Sequence, residues 1–600
     1  MAESSQTQLD QAVQGWLASL DTALTTRDPA AAADLFAEDG LWRDFVAFTW
    51  NLKTLEGRAE IAEMLNSVLD DADPGNWELA EPATGTPELI EAWITFETGA
   101  ARGWGHLRLR NGQCWTLLTT MQELKGFEES KGTRRPKGVE HVVSRGRRSW
   151  LEQKVEHQTR LGHEEQPYCV IVGGGQGGIG LAARLRRLNV PTIVIERNDR
   201  AGDSWRKRYK SLALHDPVWY DHLPYLNFPD DWPVFAPKDK IGDWLEQYTA
   251  IMELDYWSGT ECLNARFDDD NGSWELTVRR HGEEITLRPQ QLVFALGVSG
   301  YPNIPEFDGA KAFLGEQYHS SQYPGGGDQS GRKALIIGSN NSAHDIAADL
   351  WEHGADVTMV QRSSTHVVRS DSLMEFALGD LYSERALASG ITTEKADMLF
   401  ASLPYRVLPD AQIPIYQQIA EHDADYYARL RDAGFDLDFG EDGSGLFLKY
   451  LRRGSGYYID VGASQLIIDG RVKLLRGQVA KLTGSGVVLE DGSELDADVI
   501  VYATGYGSMN NWLADLISPE VADRVGKCWG FGSGTTKDPG PWEGELRNMW
   551  KPTNVENLWI HGGNLHQSRH YSTFLALQLK ARMEGLPTPV YGLQPSHHAR

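Results

Sequence analysis

The chain has 600 residues, a length that allows three or four domains rather than one. It carries 58 Lys and Arg against 84 Asp and Glu, a net charge of −26, which excludes nucleic acid or an anionic membrane surface as its principal partner. No apolar run reaches the roughly 18 residues of a membrane span, and the polar start MAESSQTQLDQ does not read as a secretory leader, so a cytoplasmic protein is expected. The four cysteines, Cys114, Cys169, Cys262 and Cys528, are too widely spaced for a CxxC pair, a metal box or a disulfide framework.

In chain order, Leu9, Val13, Trp16, Leu17 and Leu20 fall on one helical face, and AAAADLF after Asp28-Pro29 and Ala59–Leu65 give two further short helices. The period then changes to alternation over Leu89–Thr98, Gly103–Arg110 and Cys114–Glu123, with Asn111-Gly112 as a hairpin turn. Residues 1–130 are therefore expected to form a small α+β domain, and 131–166 a solvated, partly basic linker running into a helix at Trp150–Leu161. The remainder has an α/β rhythm, divided as 167–330 and 491–600 for the two parts of one nucleotide-binding domain and 331–490 for a second with a helical insertion.

The strand YCVIV (168–172) runs into Gly173-Gly174-Gly175-Gln176-Gly177-Gly178 and a helix, and the next strand ends at Glu196-Arg197. Gly173 allows the tight turn, Gly175 lets backbone approach a pyrophosphate, Gly178 lets helix and strand pack, and Glu196 can accept from ribose hydroxyls. A second strand, KALII (333–337), is followed by Gly338-Ser339-Asn340-Asn341-Ser342-Ala343 and a helix, and its partner strand ends at Arg362-Ser363. A guanidinium there suits the extra phosphate of NADP, where a carboxylate would repel it. A Glu-tipped and an Arg-tipped nucleotide fold in one chain point to FAD and NADPH as cofactors.

Between them lies Phe313-Leu-Gly315-Glu-Gln-Tyr-His319-Ser-Ser-Gln-Tyr323, which reads FxGxxxHxxxY. In this motif the chain resembles the class B flavoprotein monooxygenases, the flavin-containing and Baeyer–Villiger enzymes. Val501-Tyr502-Ala503-Thr504-Gly505-Tyr506 is similar to the family's ATGY strand, Leu296-Gly297 with Pro302 and Pro305 to the first crossing, and Trp205 to its GxxW segment. Asn564 and Gln567, ahead of STFLALQLKARMEG, resemble the start of the helix that closes over the flavin. The resemblance implies that NADPH reduces FAD, that O2 adds at C4a, and that the resulting hydroperoxide oxygenates a small organic molecule at nitrogen, sulfur or a ketone. A reductase or oxidase that transfers no oxygen, and a redox scaffold, are the rival readings.

The resemblance also places His319 and Tyr323 at the hinge, positioning nicotinamide. His215 and Asp216 fall where many flavin-containing monooxygenases carry an active-site Asn. Tyr323-Pro324 combines the aromatic of one subfamily with the proline of the other, so heteroatom and ketone oxygenation stay open. The aromatic stretch 371–460 reads equally as a substrate-cavity wall or as a helical core insertion. The N-terminal domain looks like a SnoaL-like cone, as in N-terminally extended "type II" relatives, with His106, Asp44 and Trp42 as pocket candidates. An open sheet face in that fold suggests a homodimer through this domain.

Overall fold

The computed structural model describes every residue except 1, 139, 140, 142, 299, 536, 537, 599 and 600, so three positions of the 131–166 linker lie outside it. The N-terminal unit begins with α1 (Ala2–Thr25), whose buried stripe is Leu9, Val13, Trp16, Leu17, Leu20 and Leu24. Asp28 caps α2 (Pro29–Asp34) through the Ala31 N–H, and β1 (Phe36–Phe45), β2 (Leu52–Glu56) and α3 (Gly57–Ala72) follow. Then come β3 (Gly75–Leu79), β4 (Thr84–Thr86), β5 (Leu89–Glu97), β6 (Ala101–Arg110) and β7 (Gln113–Leu124). The sheet order is β2-β1-β7-β6-β5-β3, with β4 on β5. Asn111 and Gly112 both take positive φ between β6 and β7, the two-residue turn that matches strand twist.

Burial along these strands shows where the unit sits. In β5 it alternates strictly, whereas β6 and β7 are buried at most positions on both faces. The second face is covered by later parts of the same chain. The interior of the unit is filled as well. Asp44 is fully buried and takes four hydrogen bonds, from the Phe48 and Thr49 N–H groups and the Thr49 and Thr119 hydroxyls. Trp42 donates to Thr119, and the buried His106 ring lies 3.6 Å from Glu91. These residues build a core and not a pocket.

After α4 (Trp150–Arg160), capped by Ser149 with Glu152 reciprocating, the first nucleotide fold starts with β8 (Cys169–Val172), α5 (Gln176–Arg187) and β9 (Thr192–Ile195). With β10 (Gln291–Phe294), the short strand Tyr256–Trp257 and the distant Leu558–Ile560, these strands form a five-stranded parallel sheet. A second five-stranded parallel sheet contains β11 (Glu316–His319), β12 (Lys333–Ile337) and, after α6 (Asn341–Glu352), β13 (Asp356–Gln361).

The insertion follows at Thr365, earlier than residue 371, and pairs Thr365–Arg369 with Leu437–Asp438 and Tyr457–Asp460; its helices include α7 (Thr393–Ala401). The second sheet closes with β14 (Val472–Arg476) and β15 (Val499–Tyr502), in the order β11-β15-β12-β13-β14. β11 precedes residue 331 and β15 follows residue 490, yet both pair inside the second sheet. Their partners are remote in sequence, so local patterning does not reveal the pairing.

The last helix among the described residues is α8 (Leu565–Met583), which carries polar residues on every side and is nonetheless buried nearly all round. It packs on α5, on β7 and on α7, and its polar groups are needed because it is sheathed by three different parts of the molecule.

Candidate active site

The first glycine loop shows three different uses of glycine. A Cβ on Gly178 would stand 2.0 Å from the Gly173 carbonyl oxygen, and one on Gly173, at φ +109°, would stand 2.4 Å from that of Ala295. A Cβ on Gly175 would meet nothing closer than the Ser204 hydroxyl at 3.7 Å. Gly173 and Gly178 are thus required by packing, while Gly175 faces free space at the start of α5. No side chain caps that helix, so the N–H groups of its first turn point at the same space. Glu196 is buried at the end of β9 and accepts from the Gly174 N–H at 2.9 Å and from the Asn198 backbone and side chain. Three donors leave acceptor capacity on a carboxylate with about four lone-pair sites. Arg197, next to it, is exposed.

The second loop repeats the arrangement. Gly338, at φ +129°, lies against the Ala503 carbonyl, and a Cβ there would stand 2.3 Å from it. Asn340 occupies the N-cap of α6 but does not cap it; its side-chain oxygen takes the Thr365 hydroxyl at 3.3 Å, and Ser339 shares a 2.8 Å hydrogen bond with that hydroxyl. Arg362 and Ser363 follow β13 and are exposed.

Two chain crossings join the nucleotide folds and hydrogen-bond to each other: the Asn303 N–H donates to Gly505 and the Gly300 N–H to Gly507. The Thr504 hydroxyl donates to the Asn303 carbonyl on the same seam. His319, at the end of β11, accepts from the Ser321 N–H on Nδ1 and faces the Gly505 carbonyl at 2.9 Å with Nε2. Nε2 is then the protonated nitrogen, and burial holds the ring pKa down, opposed by the Gly505 carbonyl. Both nitrogens are satisfied within the chain, so His319 clasps the hinge. Tyr323, expected with it at the hinge, is tied to the second fold. Its hydroxyl donates to Asp349 of α6 at 2.7 Å, a carboxylate that also takes the Gly326 N–H, and the residue is a buried strut.

A run of hydrogen bonds leads from the first loop across to α8. Trp205 donates to the Gln176 side-chain oxygen at 3.2 Å, and Gln176 donates to the Gly563 carbonyl at 3.2 Å. Asn564 caps α8 through the Gln567 N–H and donates to the Tyr220 hydroxyl at 3.1 Å. Tyr450, from the insertion, accepts the Asn564 N–H and donates to Gln567 at 2.7 Å. The expected residues Gln176, Trp205, Asn564 and Gln567 therefore meet in one place, with Tyr220 and Tyr450 as members that sequence reasoning missed. The only signal for them was aromatic content.

Beside this bridge, His215 reaches Asp345 of α6 at 3.4 Å, and Tyr209 donates to the same carboxylate at 2.6 Å. Burial pulls the His215 pKa down but is outweighed by the Asp345 hydrogen bond and the charges of Asp345, Asp216 and Asp460, so the net shift is upward. Burial lifts the Asp216 carboxyl to about 6, with His215 opposing. Asp345 was not among the expected residues, although it sits five positions into the second Rossmann helix. In all, a polar, aromatic-walled centre lies where the two folds, the insertion and α8 converge.

Residues 170–403 match the pyridine nucleotide-disulphide oxidoreductase family. The four cysteines are unpaired. Indole-3-pyruvate monooxygenase YUCCA1 of Oryza sativa subsp. japonica is 32% identical over 364 residues, covering 60% of this chain and 82% of that one. Probable indole-3-pyruvate monooxygenase YUCCA10 of Arabidopsis thaliana is 28% identical over 387 residues, covering 64% and 90%. Among solved structures, a flavin-containing monooxygenase from Stenotrophomonas maltophilia aligns over 70% of this chain and 99% of its own, with 16% identity and a TM-score of 0.45. No helix among the described residues is long and apolar enough to cross a membrane. With a relative at this identity matched over most of its length, the chain belongs to the class B flavin monooxygenases and is a flavin-dependent monooxygenase enzyme.

Proposed function

We propose that this enzyme binds FAD on the first glycine loop and NADPH on the second, and oxygenates a small organic molecule at a heteroatom or a ketone. The observation that carries the reading is that both nucleotide helices begin without a side-chain cap directly after a glycine-type loop, at Gly175 and at Asn340. Free N–H groups at a helix start fit a pyrophosphate, and the open space at Gly175 fits its close approach. Bound, the two cofactors would supply reducing electrons and dioxygen activation.

The chain's own residues do the rest. Gly175 and the first turn of α5 would hold the FAD phosphates, with Glu196 accepting from the ribose. Arg362 and Ser363 would take the 2′-phosphate of NADPH. Gln176, Trp205, Asn564 and Gln567 would fix the isoalloxazine end, and Tyr220, Tyr450 and α8 would exclude water from the reacting centre. His215, whose pKa is raised by Asp345, and Asp216, lifted by burial to about 6, stand where a proton could be held for the substrate. We read the N-terminal unit as a SnoaL-like cone recruited as a structural part.

The relatives' names point to a 2-oxo acid carrying an indole as one candidate substrate. Purified protein is tested with NADPH and O2 against a sulfide, an amine, a cyclic ketone and indole-3-pyruvate. Bound flavin and an oxygenated product from one class support the reading. Flavin that only turns NADPH into peroxide across the panel contradicts it.

A further inference from the structure

The N-terminal unit grips the rest of the chain through several buried residues, Arg43, Thr54 and Arg108 among them. Arg43 of β1 makes a two-bonded pair with Glu545, both at 2.7 Å, and its third nitrogen donates to the Ala401 carbonyl at the end of α7 at 2.6 Å. Its guanidinium lies 4.4 Å from the Tyr405 ring and 4.8 Å from that of Phe45, and Arg43 and Glu545 are both buried. Thr54 of β2 adds a bond to Glu545 at 2.7 Å. Two residues along β1, Phe45 packs on Phe574 and Tyr571 of α8 with ring centres 4.9 and 5.7 Å apart.

Contacts continue from there to the candidate site. α7 carries Asp397, which takes Arg569 of α8 on both oxygens at 2.6 and 2.8 Å. The remaining nitrogen of Arg569 donates to the Tyr220 and His222 carbonyls at 2.8 and 2.6 Å. That is the segment that carries Asp216 and whose Tyr220 hydroxyl takes Asn564. Every joint is a forked or buried bond. Such pairs do little for stability once desolvation is counted, and they fix orientation strongly. A surface linker would serve a merely attached module; this one has a fork in its core.

We propose that the N-terminal unit is the fixed backing of the monooxygenase site, with Arg43 as its positioning residue. By holding α7 and α8 it sets the Tyr220 segment and the first turn of α8, and keeps the reacting centre closed to water. This rests on the site assigned under Proposed function, but one of its tests does not.

The test uses full-length holoenzyme and two variants. Arg43→Met/Glu545→Leu removes both charges of the pair, so that neither partner is left in the core without the other. Arg43→Lys keeps the charge but loses the fork. The first readout is hydrogen exchange, which needs no substrate: residues 393–403 and 564–572 should exchange about tenfold faster in the double variant while 169–187 is unchanged. The second is peroxide formed from NADPH without organic substrate, which should rise about fivefold with the KM for NADPH within about twofold of wild type. Arg43→Lys should fall between wild type and the double variant on both.

Unchanged exchange in 393–403 and 564–572 overturns the proposal. Should the double variant fail to fold, an Arg43→Lys variant indistinguishable from wild type overturns it, and an intermediate one supports it. A wild-type protein that binds no flavin refutes the assigned function instead, and the exchange result still decides this proposal.

Discussion

Asp397 and Arg569 form a two-bonded ion pair that is buried on both sides and joins the insertion to the closing helix. Burial alone would raise the Asp397 carboxyl, but the Arg569 charge outweighs it and holds its pKa below the usual carboxylate value. Removing one partner strands the other. Arg569→Met should therefore cost about 3–5 kcal/mol of stability, whereas Arg569→Met/Asp397→Leu should cost much less. Urea unfolding of the three proteins, compared by midpoint, checks the ordering. A single variant no less stable than the double would contradict it.

Arg362 is exposed beyond β13, beside the uncapped start of α6. Losing a guanidinium–phosphate contact is worth about 1.5–3 kcal/mol, so Arg362→Ala should raise the KM for NADPH about tenfold to a hundredfold. The KM for NADH should hardly move, because NADH has no 2′-phosphate. Steady-state NADPH and NADH oxidation measured side by side is the check.

The contact between His215 of the first fold and Asp345 of the second makes the interface respond to pH. His215 is raised above its ordinary 6.5, so its stabilisation is complete below 6.5 and fades as pH climbs through the folded value. Asp216 acts in the same direction, since its folded carboxyl at about 6 takes up a proton that the unfolded chain, at 3.8, does not. The facing groups are Asp345, Asp216, Asp460 and the ring of His344. Asp345→Asn should lower the thermal midpoint more at about pH 6 than at about pH 9. An equal loss at both would show that the pair is not charged.

How much of this was legible beforehand depended on distance along the chain. The two glycine loops were, because turn, helix start and strand end lie within about 25 residues and glycine has few substitutes there. So were Asn111-Gly112 and the helical stripe of α1. The placement of β11 and β15 was not, since each is a four-residue strand whose partner is remote. Tyr323 has the right spacing for the motif, and only the fold shows that Asp349 claims its hydroxyl. Arg43 reads as an ordinary strand charge; its partner Glu545 lies 502 positions away. Tyr220 and Tyr450 carry no local signature, and they reach the site only through a loop and an inserted helix.

If the open space at Gly175 is where flavin binds, replacing Gly175 by Ala should close it. With φ −78° and nothing within 3.7 Å of an added Cβ, the variant should fold with stability within about 0.5 kcal/mol of wild type. Gly178→Ala is the control, and should lose stability because its Cβ meets backbone at 2.0 Å. The measurement is flavin absorbance per mole of purified protein. Gly175→Ala should give a folded protein without FAD. A folded Gly175→Ala protein carrying one FAD per chain, and oxidising NADPH as wild type does, would contradict it.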